Sequence, residues 1–276
     1  HLAKSKTDKI IKYEFNFDVF DEEVIDLLSQ LPHNEFTFGV QSTNPKALAA
    51  MKRPFRKEKF EQVVKMVSNK FTNQNFTMDL IYGLPEDDIE GFKSSLNYSF
   101  GVEGIEKVNT YPFVLLPGTP YWEQKEKFGI EVLDEESYEI KSTRTFPKSD
   151  IDLAKKYSFH VYATQLNYCL ENAVKQMANQ EQKRSIDIMI DFFDNLPFPI
   201  QTPHLTPIGA RGIKEKYDGL KNVISKYDDI IEAFKRYSEH KYDDLLLDYK
   251  ENFSVYYKRS NELSKRERYG GTKDLR

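Results

Sequence analysis

At 276 residues the chain is long enough to bury a sizeable core, and its 39% hydrophobic and 30% charged residues are the balance of a folded globular protein, not a disordered one. The net charge of −4 gives no field that would gather nucleic acid. No apolar run approaches the ~20 residues needed to span a bilayer, so a cytoplasmic protein with no membrane partner is expected. Seven basic and three acidic residues between Lys258 and Arg276 read as a solvated tail, and Cys169, the single cysteine, excludes both a disulfide framework and a Cys-rich metal site built from this chain alone.

In chain order, IIKYEFNF (10 to 17) is a strand. DEEVIDLLSQL (21 to 31) is a helix that opens on acids and stops before Pro32. EFTFGV (35 to 40) gives a second strand, followed by two helical pieces, PKALAAMK and RKEKFEQVVKMVSNK, broken at Pro54. NFTMDLI (75 to 81) is a third strand and leads through the turn-forming YGLP to the helix DIEGFKSSLNYSF. EKVNTYPF (106 to 113) is a fourth strand. Alternating strands and helices of these lengths predict parallel strands joined by crossover helices. SYEIKST (137 to 143) reads as an added edge strand, and helices dominate afterwards.

One long helical pattern covers about 150 to 195, and LPFPIQTPHLTP (196 to 207), with four prolines, interrupts it. Leu220, Val223, Ile224, Tyr227, Ile230, Ile231, Phe234 and Tyr237 then form an amphipathic stripe. Tyr242, Leu245, Leu246, Tyr249, Phe253 and Tyr256 repeat it, which predicts two antiparallel helices packed along their stripes. The fold class expected is α/β: the latter part of a partial (β/α) TIM-like barrel with about four parallel strands, followed by a helical C-terminal region. The domains expected are residues 1–145 and 146–276, with the Pro-rich break at 196–207.

Polar residues inside apolar strands are informative, because burying a carboxylate without a partner is costly. Glu14, Gln41 and Asp79 all fall in or near the carboxyl ends of successive strands, where ligands bind in barrels and open α/β sheets. Any one of them could equally face solvent at a strand end. Three on consecutive strands favour a site.

The string EFTFGVQSTNPKALAAMKRPF, followed by FTMDLIYGLPEDDIEGF and VNTYPFVLLPGTPYW, resembles the radical S-adenosylmethionine (SAM) superfamily, in its oxygen-independent coproporphyrinogen oxidase-like and cobalamin-binding branch. The resemblance covers roughly residues 10 to 165. It implies that Glu14 accepts from the methionyl ammonium of SAM and that Arg53, 12 residues after Gln41, meets the methionyl carboxylate. Gln41 and Asp79 would serve the ribose or nearby polar atoms, and Ile81 and Phe113 the adenine. Ser42 and Thr119 are weaker candidates, and Gly83 and Pro85 are turn formers.

The resemblance also implies an enzyme that, when complete, uses SAM and a 4Fe-4S cluster to generate a 5'-deoxyadenosyl radical, with cobalamin an optional cofactor and the substrate open. The family's three-cysteine cluster loop is absent, and the first strand resembles the family's third. The cluster ligands, any cobalamin domain and the first barrel strands would therefore come from another part of the polypeptide or from a separate chain, and this chain alone is expected to be inactive. Two other classes stand beside this reading. One is a non-catalytic scaffold or binding module of the same fold. The other is a barrel hydrolase or lyase, which is weakened because no His or Lys accompanies the strand-end carboxylates.

Overall fold

The computed structural model describes residues 11–30, 34–71, 75–133, 138–200 and 219–254. Two compact units divide between Ala154 and Lys155.

The first unit is built on four parallel strands in sequential order: β1 (Ile11–Phe15), β2 (Asn34–Gln41), β3 (Asn75–Tyr82) and β4 (Lys107–Pro112). Helices α1 (Glu22–Ser29), α2 (Pro45–Met51), α3 (Lys57–Lys70) and α4 (Ile89–Gly101) fill the crossovers. The chain is thus α/β, with the strand order and connectivity of part of a (β/α) barrel. Alternation along each strand sets the two faces of the sheet. Phe36, Phe38, Phe76, Met78, Leu80 and Val108 are buried on one face, where Phe36 stacks on Phe76 at 5.5 Å and Phe38 meets Phe60 of α3 edge-on at 5.5 Å. Register partners share a face, so Glu14 and Thr37, Thr77 and Lys107, and Gly39, Asp79 and Asn109 line the other.

Local signals start three of these four helices, and α3 begins at Arg56 without a side-chain cap. Asp21, Asn44 and Asp88 accept from backbone N–H groups at the starts of α1, α2 and α4, the exchange that satisfies donors a helix leaves open. The break at Pro54 has a precise form. Lys52 adopts the left-handed conformation with its N–H on the Ala49 carbonyl, and the Arg53 N–H returns to the Leu48 carbonyl at 3.0 Å. This double closure ends α2 and throws Arg53 back toward the sheet.

The predicted added edge is corrected. Ile140–Ser142 (β6) pairs antiparallel with Glu131–Val132 (β5) in a separate two-stranded sheet, after the short helix α5 (Pro120–Glu123), and reaches the chain beyond β4 through a bridge between Val114 and Glu139. β5 has only two residues, too few for an alternation to show.

Helix α6 (Lys148–Gln165) begins in the first unit and crosses into the second. The single long pattern over 150–195 resolves into α6, α7 (Tyr168–Glu181) and α8 (Ser185–Asp194), because Asn167 caps α7 and Gln182 closes it in a left-handed conformation. Residues 219–225 (α9) and Tyr227–Tyr237 (α10) carry the first stripe. The second stripe does not form the predicted α-helix. A 3-10 turn (Asp243–Leu246) is followed by turns whose backbone is taken elsewhere: Tyr168 N donates to the Asn252 carbonyl, Ser254 N to the Leu166 carbonyl, and the Asn167 side chain to the Tyr249 carbonyl at 2.6 Å. Tertiary hydrogen bonds thus replace helical ones. Tyr256 and most of the Pro-rich segment lie outside the described residues. No helix among the described residues is long and apolar enough to cross a membrane.

Candidate functional site

The site is organised around Gly39, one register step before the end of β2. A Cβ at this position would lie 2.7 Å from Gln41 Nε2, 3.1 Å from Glu14 Oε1 and 3.5 Å from a terminal nitrogen of Arg53. Side chains from β1, the end of β2 and the turn after α2 therefore converge on the space that glycine leaves open. Arg53 is anchored there by donating from Nη2 to the Gly39 carbonyl at 2.6 Å. Glu14 and Arg53 both face this cradle without an ion pair to each other, and Glu14 has no hydrogen-bond partner among the described residues.

Gln41 owes its position to backbone strain. Its φ is +71° in a non-glycine residue, and Ser42 N donates across it to the Val40 carbonyl at 2.9 Å, the closure of a strained γ-turn. The register with β3 shifts at the same place, between Gly39 and Gln41. Such conformations persist only where the surroundings hold them, and they concentrate at functional positions. Here the bulge turns the Gln41 side chain toward Glu14.

Asp79 sits beside Gly39 in register and accepts from Asn109 Nδ2 at 2.8 Å, while Thr37 and Thr77 share a 2.8 Å hydrogen bond on the same face. Tyr111, partly exposed, has its phenol pushed up to about 12, first by burial and then by the negative charges of Asp79 and Glu14. The phenol therefore stays a hydrogen-bond donor at neutral pH.

A cavity of about 880 Å³ opens at this carboxyl end, and its wall includes Gln41, Arg53, Ile81, Phe113 and Tyr121. Phe113 packs edge-on against Tyr121 at 5.3 Å, giving the cavity an aromatic side. The Tyr121 hydroxyl is buried without a hydrogen-bond partner among the described residues.

Two weaker candidates have other work. Ser42 is buried and donates to Asp87 at 3.1 Å while accepting from Asn44 N, and Asn44 and the Asp88 N–H also serve Asp87. This fully buried carboxylate, whose pKa is raised by burial, ties the loop after β2 to the loop after β3. Thr119 caps α5 through Trp122 N. Gly83, with φ +80°, makes the turn after β3.

Sequence reasoning missed Gly39, Asn109, Tyr111 and Asp87. The alternation of Lys107, Asn109 and Tyr111 with buried Val108 and Thr110 was a readable signal for Asn109 and Tyr111. Nothing local marks Gly39 or Asp87, whose roles depend on neighbours from other strands and loops.

The donor set suits a zwitterion next to a nucleoside: an acid, a guanidinium, an amide and a second acid around an apolar wall. It does not suit an iron-sulfur cluster. Cys169 lies in the helical unit with its thiol pKa raised, chiefly by burial, the opposite of a ready thiolate, and no group of three His, Cys, Asp or Glu residues among the described residues could hold a metal ion.

No family model matches the chain. Over 125 residues it is 30% identical to the heme chaperone HemW of Synechocystis sp., covering 45% of this chain and 30% of that protein. Over 120 residues it is 29% identical to the tRNA-2-methylthio-N(6)-dimethylallyladenosine synthase of Staphylococcus aureus, covering 42% of this chain and 23% of that one. Among solved structures, Escherichia coli coproporphyrinogen III oxidase (HemN), a radical SAM enzyme, is similar at 21% identity and TM-score 0.43, over 58% of this chain and 33% of that one. The chain thus spans about a quarter to a third of the length of the curated relatives it matches. Those relatives are members of the radical SAM superfamily, and the resemblance is to that superfamily.

Proposed function

We propose that this relative of the radical SAM superfamily is a SAM-binding part of a radical SAM enzyme, and that the cradle over Gly39 is where the methionyl end of SAM is held. The observation that carries the reading is that Glu14 and Arg53 converge on one glycine without pairing with each other, so that each is open to an opposite charge of the ligand. Glu14 accepts from the ammonium, and Arg53, already oriented by the Gly39 carbonyl, donates to the carboxylate. Gln41 and Asp79 offer hydrogen bonds to the ribose side, with Asn109 holding the Asp79 carboxylate in place. Ile81 and Phe113 in the cavity wall supply the apolar surface an adenine ring needs.

In a complete enzyme, SAM held by these residues would be cleaved with one electron from the 4Fe-4S cluster, releasing methionine and supplying a 5'-deoxyadenosyl radical for hydrogen abstraction from substrate. The residues of this chain bind and orient SAM and shield its surroundings from water. Cluster ligands, the preceding barrel strands and any cobalamin domain belong, on this reading, to a further stretch of polypeptide or a partner chain. Cobalamin-dependent methyl or group transfer rests on the family resemblance alone. A non-catalytic module of the same fold would use the same cradle for binding only.

Equilibrium binding of SAM to this chain tests the proposal. Arg53→Ala removes a charge-assisted, two-pronged contact worth ~1.5–3 kcal/mol, so affinity should fall about 10- to 150-fold. Arg53→Lys should recover part of the loss, because an ammonium keeps the charge and loses the planar fork. Affinities within about twofold of wild type for both variants would overturn the assignment.

A further inference from the structure

The 880 Å³ cavity extends beyond the residues assigned to SAM, and its charge is one-sided. Lys46 and Lys52, from α2 and its left-handed cap, and Lys127, from the segment after α5, also line it. Neither Lys46 nor Lys52 has a carboxylate partner among the described residues. Among the described residues Lys127 reaches only the Gln124 side-chain oxygen at 3.3 Å and the face of Phe128 at 4.9 Å. The acid in the wall, Glu86, is already matched by Arg144 outside it, at 2.6 Å. The rest of the wall is aromatic and aliphatic, and it includes the Tyr121 hydroxyl that has no partner.

We infer that this cavity holds a second subsite, beside the nucleoside, for a substrate that joins an apolar or aromatic body to an anionic group, a carboxylate or a phosphate. The inference rests on the reading above, which places SAM at the Gln41–Arg53 end. The charge argument is direct. Three cations on an apolar wall with no free acid among them focus a positive field into the opening and stabilise an anion there. A small-molecule site of this kind is mostly apolar with a few convergent polar groups, and ~300–1,000 Å³ is its usual size. Lysines from two separate segments can close on a carboxylate or a phosphate alike, because an ammonium acts as a point charge, not a planar fork.

The test uses matched probes that differ only in charge: 2-naphthoate and 2-naphthyl phosphate against neutral 2-naphthamide, each titrated into the chain, with S-adenosylhomocysteine titrated separately. The anions should bind about 10-fold or more tightly than the amide, and whichever of the two is favoured indicates the source of the charge. The triple variant Lys46→Gln, Lys52→Gln, Lys127→Gln should reduce the preference to within about twofold. A control removing three distant cations, Lys65→Gln, Lys70→Gln and Lys93→Gln, should keep it. S-adenosylhomocysteine affinity should stay within about threefold in both variants. Equal binding of anions and amide, no binding of either, or a preference that survives the first triple variant or is lost equally in the control would overturn the subsite. Loss of S-adenosylhomocysteine binding by the wild-type chain, with the anion preference intact, would instead count against the SAM reading and leave the anion site standing.

Discussion

Both compact units bury polar groups, yet they do so to different ends. In the helical unit His160 is 3% exposed, stacks flat on Phe193 at 5.0 Å and 17°, and has Asp194 at 3.7 Å from its Nε2. It behaves as a core aromatic, with its pKa lowered to about 4 mainly by burial. In the strand unit the polar face of the sheet, which includes buried Asp79, and the turn after α2 converge on one glycine and an open cavity, where exposed Glu14 and half-buried Arg53 make no ion pair with each other. Buried polarity alone does not make a site. On the proposed reading, convergence of groups not paired with each other at strand ends does.

The largest effect should come from the opposite face of the same strand. Phe38 is fully buried between Phe20, Phe60 and Phe76, so Phe38→Ala should cost ~3–5 kcal/mol in chemical denaturation. Any SAM affinity of the fraction that remains folded should be close to wild type. If Phe38→Ala abolished binding in fully folded protein, the division of labour between the two faces would fail.

His160 tests the helical side of the comparison. Because its folded pKa lies below the unfolded value near 6.5, the unfolded chain takes up the proton first as pH falls. Stability is present in full above about pH 6.5 and declines toward pH 4, by at most ~3 kcal/mol. Glu171, whose pKa is raised by burial, acts in the opposite sense, losing its contribution as pH rises through its folded value. The clean measurement is therefore the difference in stability between wild type and His160→Phe across pH 4 to 7. That difference should slope in this window if the account holds, and a flat difference would mean that His160 takes up its proton in the folded chain as readily as in the unfolded one.

A smaller effect separates the loops from the cradle. Ser42→Ala removes the buried hydrogen bond to Asp87 and should cost about 1–2 kcal/mol of stability, with SAM affinity changed less than about threefold. A large loss of affinity at unchanged stability would move Ser42 from the scaffold into the site.

The four strands and their order were legible because each is a run of strand-forming residues separated by a strongly periodic helix. The strand-end residues Glu14, Gln41 and Asp79 stood out because a polar group inside an apolar run is conspicuous. Arg53 was legible only through the family resemblance, since its approach to the sheet depends on a left-handed Lys52 that no residue preference announces. The second stripe near Tyr242 misled for a related reason. Its spacing is helical, but hydrogen bonds to the junction of α6 and α7 claim its backbone. Gly39 carries no pattern at all, because its importance lies in what three other segments place above it.

That makes Gly39 the most direct point of attack. Gly39→Ala and Phe38→Ala alter adjacent residues on opposite faces, and both can be measured for thermal stability and for SAM affinity at equilibrium. The alanine methyl at 39 would press against the mobile ends of Gln41 and Glu14, so the fold should lose less than ~1 kcal/mol while SAM affinity falls at least ~10-fold, the reverse of the Phe38→Ala pattern. A folded Gly39→Ala protein that binds SAM as tightly as wild type would contradict the claim that the cradle over this glycine is the binding site.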